Sequence, residues 1–237
     1  MQNKQQNTII EMQDSSNYNY TLEKHLKNLC DIDKEYELLY SIWDLNKKNL
    51  TQGLNVVSTN YPNYSLHDAS HSYSIIDNIQ SVLGADRIKQ LGATDTFLLL
   101  MASLTHDIGM ILTYNLIEKE WNKDSFQDTL NGFTKNDDKI ISDAAKLLLS
   151  FGQKDDLNKA KTYVWALEVK NTVTIITAEI FRDKHNLLSS DYLTNDSEFK
   201  KLAENFHSEQ LPNRFMDLLA NVALLHGKGF DEVMSNL

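Results

Sequence analysis

The chain has 237 residues, enough for one large domain or two small ones, and 41% of them are hydrophobic, as is usual in globular proteins. Only 2 prolines and 8 glycines occur, which excludes collagen-like, linker-rich and sandwich-like chains and favours long helices. The single cysteine, Cys30, excludes an internal disulfide and a cysteine-based zinc site, and the net charge of −10 disfavours general binding to nucleic acid or an anionic membrane.

Residues 1–20 are rich in Gln, Asn and Ser and predict a flexible N-terminal arm. From residue 21 to 237 the apolar residues recur mostly at helical spacing, with a polar loop predicted around Asn115 to Lys135. In the stretch Leu157 to His185 the β-branched run TVTII leaves a strand as an alternative to a helix. The sequence therefore predicts an all-α fold, a single domain of about nine helices. It shows neither a signal peptide nor a membrane-length apolar run, so we expect a cytoplasmic protein.

Four polar residues are notable for their positions along the predicted helices. His67 and His71 are four residues apart at the start of one helix, so their imidazoles can share a face. His106 and Asp107 lie near the end of the most apolar segment, LLLMASLTHDIGM, which is predicted to be a buried helix. Burying an imidazole and a carboxylate is costly unless they are paired or bind a metal. Burial therefore makes a metal site as plausible here as an incidental His–Asp pair, and Gly109 is expected to let the backbone turn sharply away.

The strings HSYSII and LTHDIGM together closely resemble the HD-domain superfamily of metal-dependent phosphohydrolases. That superfamily has a helix-borne His, then a His-Asp doublet, then a distal Asp. The fuller strings YPNYSLHDASHSYSIIDNIQSVLG and TDTFLLLMASLTHDIGM resemble a narrower branch, in which HD domains are often fused to Hsp90-like ATPase modules. The resemblance covers about residues 35–232. It implies a helical domain with a metal site, and a fused ATPase module as a partner.

The resemblance implies particular ligands. His71 matches the first metal His, and His106 and Asp107 match the doublet. His185 and His226 resemble the additional histidines that some HD enzymes supply to a second metal. An alternative for these last two is a helix-end histidine that interacts favourably with the helix dipole.

Two further residues are candidates for contact with a substrate. His67 occupies the SLHD position typical of the branch. Contact with the substrate or with a metal ligand is as plausible for this residue as direct ligation of the metal. Arg182 lies one turn before His185 and is a candidate bidentate donor to a substrate phosphate. The alternative for Arg182 is a surface ion pair with Glu179 or Asp183.

The distal Asp of the motif set has no good match, because Asp217 precedes His226 and Asp231 follows it too closely. Either this chain is the N-terminal part of a longer protein, with the distal Asp beyond Leu237, or the site lacks this carboxylate ligand; we expect the former. A broken helical layer would leave apolar faces uncovered, and a homodimer is the simplest way to cover them.

The resemblance implies a metal-dependent phosphohydrolase that acts on a small phosphorylated substrate, a nucleotide or phosphodiester. One or two divalent metals are expected, and mixed imidazole and carboxylate ligands suit Mn, Fe, Co, Ni or Zn better than Mg. Asp107 is the expected bridging ligand and orients or deprotonates the attacking water. The main alternative is a non-catalytic HD-fold sensor or interaction module that regulates a fused or partner ATPase. A nuclease is disfavoured by the acidic net charge.

Overall fold

The computed structural model describes residues 21–61, 68–150, 163–194, 211–226 and 228–235. The predicted flexible arm of residues 1–20 and the candidate residue His67 lie outside the described residues.

The described residues form α-helices joined by turns, with no strand among them. The helices are α1 (Leu22–Ile32), α2 (Glu37–Leu54), α3 (Val57–Asn60), α4 (Ala69–Ile88), α5 (Ala93–Thr105), α6 (Tyr114–Trp121), α7 (Phe126–Phe133), α8 (Lys139–Ser150), α9 (Tyr163–Arg182), α10 (His185–Thr194), α11 (Asn213–Leu225) and α12 (Phe230–Ser235). Two 3₁₀ turns lie at Lys34–Tyr36 and Ile108–Met110. The all-α prediction is confirmed, the TVTII run is helical within α9, and the helices are shorter and more numerous than predicted.

The polar loop predicted around Asn115 to Lys135 is wrong, because this stretch contains most of α6 and all of α7. Both helices have eight residues and carry a few apolar side chains that pack against the core, such as Ile117 and Leu130. The Thr113 side chain caps α6 by accepting a hydrogen bond from the backbone N–H of Leu116 at 3.2 Å. Tertiary packing of one face thus stabilises helices that are too short and polar to be predicted from periodicity.

Helix α5 is the centre of the fold. It packs against α1, α2, α4 and α11, and Phe97, Leu100, Met101 and Leu104 have no exposed surface. A helix enclosed on all sides must be apolar nearly all round, as the sequence predicted for this segment. The rigid core around α5 fixes the position of the residues that follow its last turn.

Two hydrophobic clusters meet at the segment after α5. Ile108 belongs to a cluster built around α1, α2, α5, α10 and α11, and Met110 to a cluster built around α8 and α9. Ile111 packs against both clusters, and α10 lies directly on the 3₁₀ turn at Ile108–Met110. The junction of the two clusters is therefore held from both sides.

Helix α4 is interrupted at Gly84. Gly84 has φ 69° and ψ 161°, a conformation open essentially only to glycine, and helical geometry resumes as far as Ile88. No single described helix is long and apolar enough to cross a membrane, although the bent pair Ala93–Met110 and Asn115–Trp121 passes the length and composition test together.

Candidate metal site

Five of the seven candidate residues meet at one place, and each lies at the end of a helix. His71 is in the first turn of α4, and His106 and Asp107 directly follow α5. His185 is the first residue of α10, and His226 directly follows α11. Their convergence depends on how α4, α5, α10 and α11 pack, and it is not a property of any one segment.

The carboxylate of Asp107 lies at the centre of the four imidazoles. Its Oδ2 atom is 3.1 Å from Nε2 of His106 and 3.7 Å from Nε2 of His71. Its Oδ1 atom is 3.3 Å from Nε2 of His226 and 3.6 Å from Nε2 of His185. Each carboxylate oxygen therefore faces two imidazole nitrogens.

These residues form two possible three-ligand groups that share Asp107. The first group is His71, His106 and Asp107, and the second group is Asp107, His185 and His226; within each group the ligand atoms lie within 4.8 Å of one another. Ligands about 2.1 Å from a metal are about 3.0 Å apart at an octahedral edge and about 3.4 Å apart in a tetrahedron. The nitrogen–oxygen separations of 3.1 to 3.7 Å match these values to within a few tenths of an ångström.

Two of the histidines have their second ring nitrogen fixed by a backbone carbonyl. Nδ1 of His106 is 3.0 Å from the Ser103 carbonyl oxygen, and Nδ1 of His185 is 2.5 Å from the Arg182 carbonyl oxygen. A carbonyl only accepts, so each Nδ1 carries a proton, and in the neutral imidazole the lone pair then lies on Nε2. Both Nε2 atoms are buried and have no hydrogen-bond partner among the described residues. This is the arrangement that neutral histidine ligands adopt around a metal, so the donor set fits a divalent cation.

A family model described as HD-CE matches residues 61–237, a range that contains all five residues of the site. The chain belongs to the HD-CE family. The resemblance to HD-type domains is thereby confirmed, although the match begins at residue 61 and the resemblance was expected from about residue 35. No curated protein and no solved structure matches the chain. Fusion to an Hsp90-like ATPase module stays a prediction.

The site of this HD-CE chain has a buried floor and an open rim. The side chains of Asp107 and His106 are 1% and 5% exposed, whereas those of His71 and His226 are 34% and 32% exposed. A metal held at the floor would thus retain a side that faces solvent, as catalytic sites do and closed structural sites do not.

The turn that carries His71 is fixed by a cap. The Asp68 carboxylate accepts hydrogen bonds from the Ser70 backbone N–H at 2.9 Å and from the Ser70 hydroxyl at 2.5 Å. The hydrogen bond from the Ser70 side chain, aided by backbone N–H groups, lowers the pKa of Asp68. The carboxylate therefore stays ionised at the N-terminus of α4, where negative charge is favourable.

Gly109 has a different role from the one predicted. Its φ is not positive, so it does not provide an unusual turn. It allows close approach: a Cβ atom there would clash with the His185 carbonyl oxygen, and it would lie 2.6 Å from the Ser189 backbone nitrogen. The Gly109 N–H also donates to the Ser189 hydroxyl at 2.8 Å. Sequence reasoning missed Ser189, because no local pattern relates it to the motif 80 residues earlier.

Arg182 forms the surface ion pairs that the sequence offered as the alternative to substrate binding. Its guanidinium is 3.2 Å from Asp183 Oδ1 and 3.5 Å from Glu179 Oε1, and its side chain is half-exposed. Its backbone carbonyl, rather than its side chain, contacts the site through His185. Contact of Arg182 with a substrate phosphate stays a prediction.

Proposed function

We propose that this HD-CE domain is a metal-dependent phosphohydrolase that acts on a nucleotide or another small phosphodiester. The observation that carries the proposal is the buried carboxylate of Asp107, each oxygen of which faces two imidazole Nε2 atoms. The family match and the two ligand groups support a metal site of the HD type.

Four imidazoles and one carboxylate favour Mn, Fe, Co, Ni or Zn over Mg, which prefers oxygen ligands. A divalent metal bound there would polarise a phosphoryl oxygen and lower the pKa of a nearby water molecule. Asp107 can bridge the two groups because its oxygens point to different histidine pairs. The carbonyl-anchored His106 and His185 would keep the ligand geometry fixed while a substrate enters from the open rim.

The charge balance of the site supports a small phosphorylated substrate. A single carboxylate and four neutral imidazoles leave a net positive charge when even one divalent cation binds, which attracts phosphate oxygens locally. The chain as a whole carries a charge of −10, which repels long polyanions such as nucleic acids. A mononucleotide or small diester gains the local attraction without the extended repulsion.

The test combines metal content with turnover. Purified chain, loaded with Mn, is assayed against a panel of nucleotides and phosphodiesters, and its metal content is measured by elemental analysis. We expect bound metal and turnover in the wild type, and loss of both in Asp107→Ala.

A matched control is His25→Ala. His25 is also a buried histidine, but its Nε2 pairs with the Leu91 carbonyl at 2.9 Å and it belongs to neither ligand group. This variant should lose stability while it keeps its metal content. Unchanged metal in Asp107→Ala would refute the site. Bound metal without turnover across the panel would contradict hydrolysis by this chain and favour the sensor module that regulates an ATPase.

A further inference from the structure

Helix α10 begins with one ligand of the second group, His185, and it contacts the segments next to the other two ligands, Asp107 and His226. It lies on the 3₁₀ turn that directly follows Asp107, and it packs along α11, which ends directly before His226. The first residue of α10 is His185. The position of this one helix therefore sets the geometry between all three members of the second group.

The contact with the Asp107 side is made by Ser189, one helical turn after His185. The Ser189 side chain has no exposed surface and accepts the hydrogen bond from the Gly109 N–H. A second link lies one turn further, where the Tyr192 hydroxyl donates to the Ile111 carbonyl at 3.3 Å. Because Gly109 has no Cβ, the helix approaches the turn at backbone contact distance. A buried hydroxyl at such a contact fixes both the spacing and the register of the two segments.

The contact with the His226 side is made by Asn186, the residue after His185. Its Nδ2 donates to the Leu224 carbonyl at 3.1 Å, two residues before His226. Leu224 belongs to the last turn of α11, where carbonyl groups lack a partner within the helix. The Asn186 amide satisfies one of these groups and ties the helix end to α10.

We infer that Ser189 and Asn186 are positioning residues for the second metal group. They hold His185 and His226 at ligand distance from Asp107, which directly follows α5, while the first group depends on α4 and α5. The inference rests on the proposed metal site. Partners that hydrogen-bond to a metal ligand typically change metal affinity by about 10- to 100-fold, and Ser189 and Asn186, which bind the backbone two residues from a ligand, are expected to act within this range.

The experiment titrates metal-free full chain with Mn²⁺ alone and follows binding by calorimetry, with no substrate present. Wild type should bind two equivalents. Ser189→Ala and Asn186→Ala should each weaken one equivalent by about 10- to 100-fold and leave the other within about threefold of wild type.

The matched control is Ser142→Ala. Ser142 is also a buried serine whose hydroxyl joins two segments, donating to the Thr134 carbonyl at 2.7 Å, but it lies in α8. Its loss should lower thermal stability and leave both Mn²⁺ equivalents unchanged. Ser189→Thr keeps the hydroxyl and should retain more of the weakened equivalent than Ser189→Ala.

Selective loss of one equivalent in the two α10 variants supports the inference. Equal weakening of both equivalents, or an effect no larger than that of Ser142→Ala, would overturn it, as would a wild type that binds a single equivalent. Wild type that binds two equivalents but hydrolyses no phosphoester would contradict the proposed function and leave this inference standing.

Discussion

The substitution Gly109→Ala adds one methyl group where α10 meets the turn after Asp107. The new Cβ would lie 2.6 Å from the Ser189 backbone nitrogen and 2.8 Å from Leu188 Cβ, and closer still to the His185 carbonyl oxygen. Ordinary contacts begin at 3.4 Å, so α10 must move by about 1 Å. Two of the three obstructing atoms are backbone, and a side-chain rotation cannot relieve the clash.

The expected cost is the sum of two effects. Overpacking of a filled interior costs about 1–3 kcal/mol, and the weakened hydrogen bond from Gly109 to Ser189 costs about 0.5–1.5 kcal/mol. We therefore expect the free energy of unfolding to fall by about 1.5–4.5 kcal/mol. The same movement displaces His185 from Asp107, and one metal equivalent should bind about 10- to 100-fold more weakly.

Urea unfolding in the presence of a chelator measures the packing cost without any contribution from metal, and a Mn²⁺ titration then measures the effect on the site. Gly132→Ala is the control, because Gly132 lies exposed in α7 with nothing within 4 Å of a new Cβ. It should stabilise the chain by about 0.5–1 kcal/mol. A free energy of unfolding for Gly109→Ala within about 0.5 kcal/mol of wild type would refute the close-approach argument.

Other predictions follow from the site, the helix break and an ion pair. His185→Ala and His71→Ala should each retain about one metal equivalent by elemental analysis, because each histidine belongs to only one of the two groups; loss of all metal in either variant would indicate a single site. Gly84→Ala should lower the free energy of unfolding by about 1–3 kcal/mol in urea, and an unchanged value would contradict the strained φ of 69°. Burial alone would raise the pKa of Glu120, but hydrogen bonds from Lys123 and Lys184 lower it overall. The ionised Glu120 side chain therefore stabilises the fold above about pH 4.3, its pKa in the unfolded chain, and this stabilisation is lost as the pH falls through its lower pKa in the folded chain. The stability difference between wild type and Glu120→Gln should shrink below about pH 4, and an equal difference at pH 3 and pH 7 would contradict this.

The fold class could be predicted because the relevant signals are local. The apolar segment that forms α5 and the glycine at which α4 breaks can both be read from the sequence itself. The end of α1 at Asp33, which has extended geometry, was not predicted, because apolar residues continue at helical spacing on both sides of it. Short helices such as α6 were not predicted, because they are stabilised by packing against the core and are too short to show a clear apolar period.

The candidate site was predictable as a set of residues but not as a geometry. His71, His106 and Asp107 stand in strings that resemble a known motif, whereas His185 and His226 lie on separate helices whose approach is a tertiary event. Nothing local predicts that Asp107 directs one oxygen to each histidine pair. Residues that hold the ligands, such as Ser189, carry no motif and could be found only from the packed structure.

The placement of the ligands at helix ends has a physical reason. The last turn of a helix contains carbonyl groups without a partner in the helix, and these can accept a hydrogen bond from an imidazole that follows. His106 uses the carbonyl of Ser103 at the end of α5, and His185 uses that of Arg182 at the end of α9, in both cases three residues earlier. Each bond satisfies a carbonyl group that would otherwise lack a partner, fixes the protonated nitrogen as Nδ1 and directs Nε2 towards Asp107. The carbonyl groups at the ends of α5 and α9 therefore orient the histidine ligands that follow them, and the packing of these helices fixes where the ligands lie.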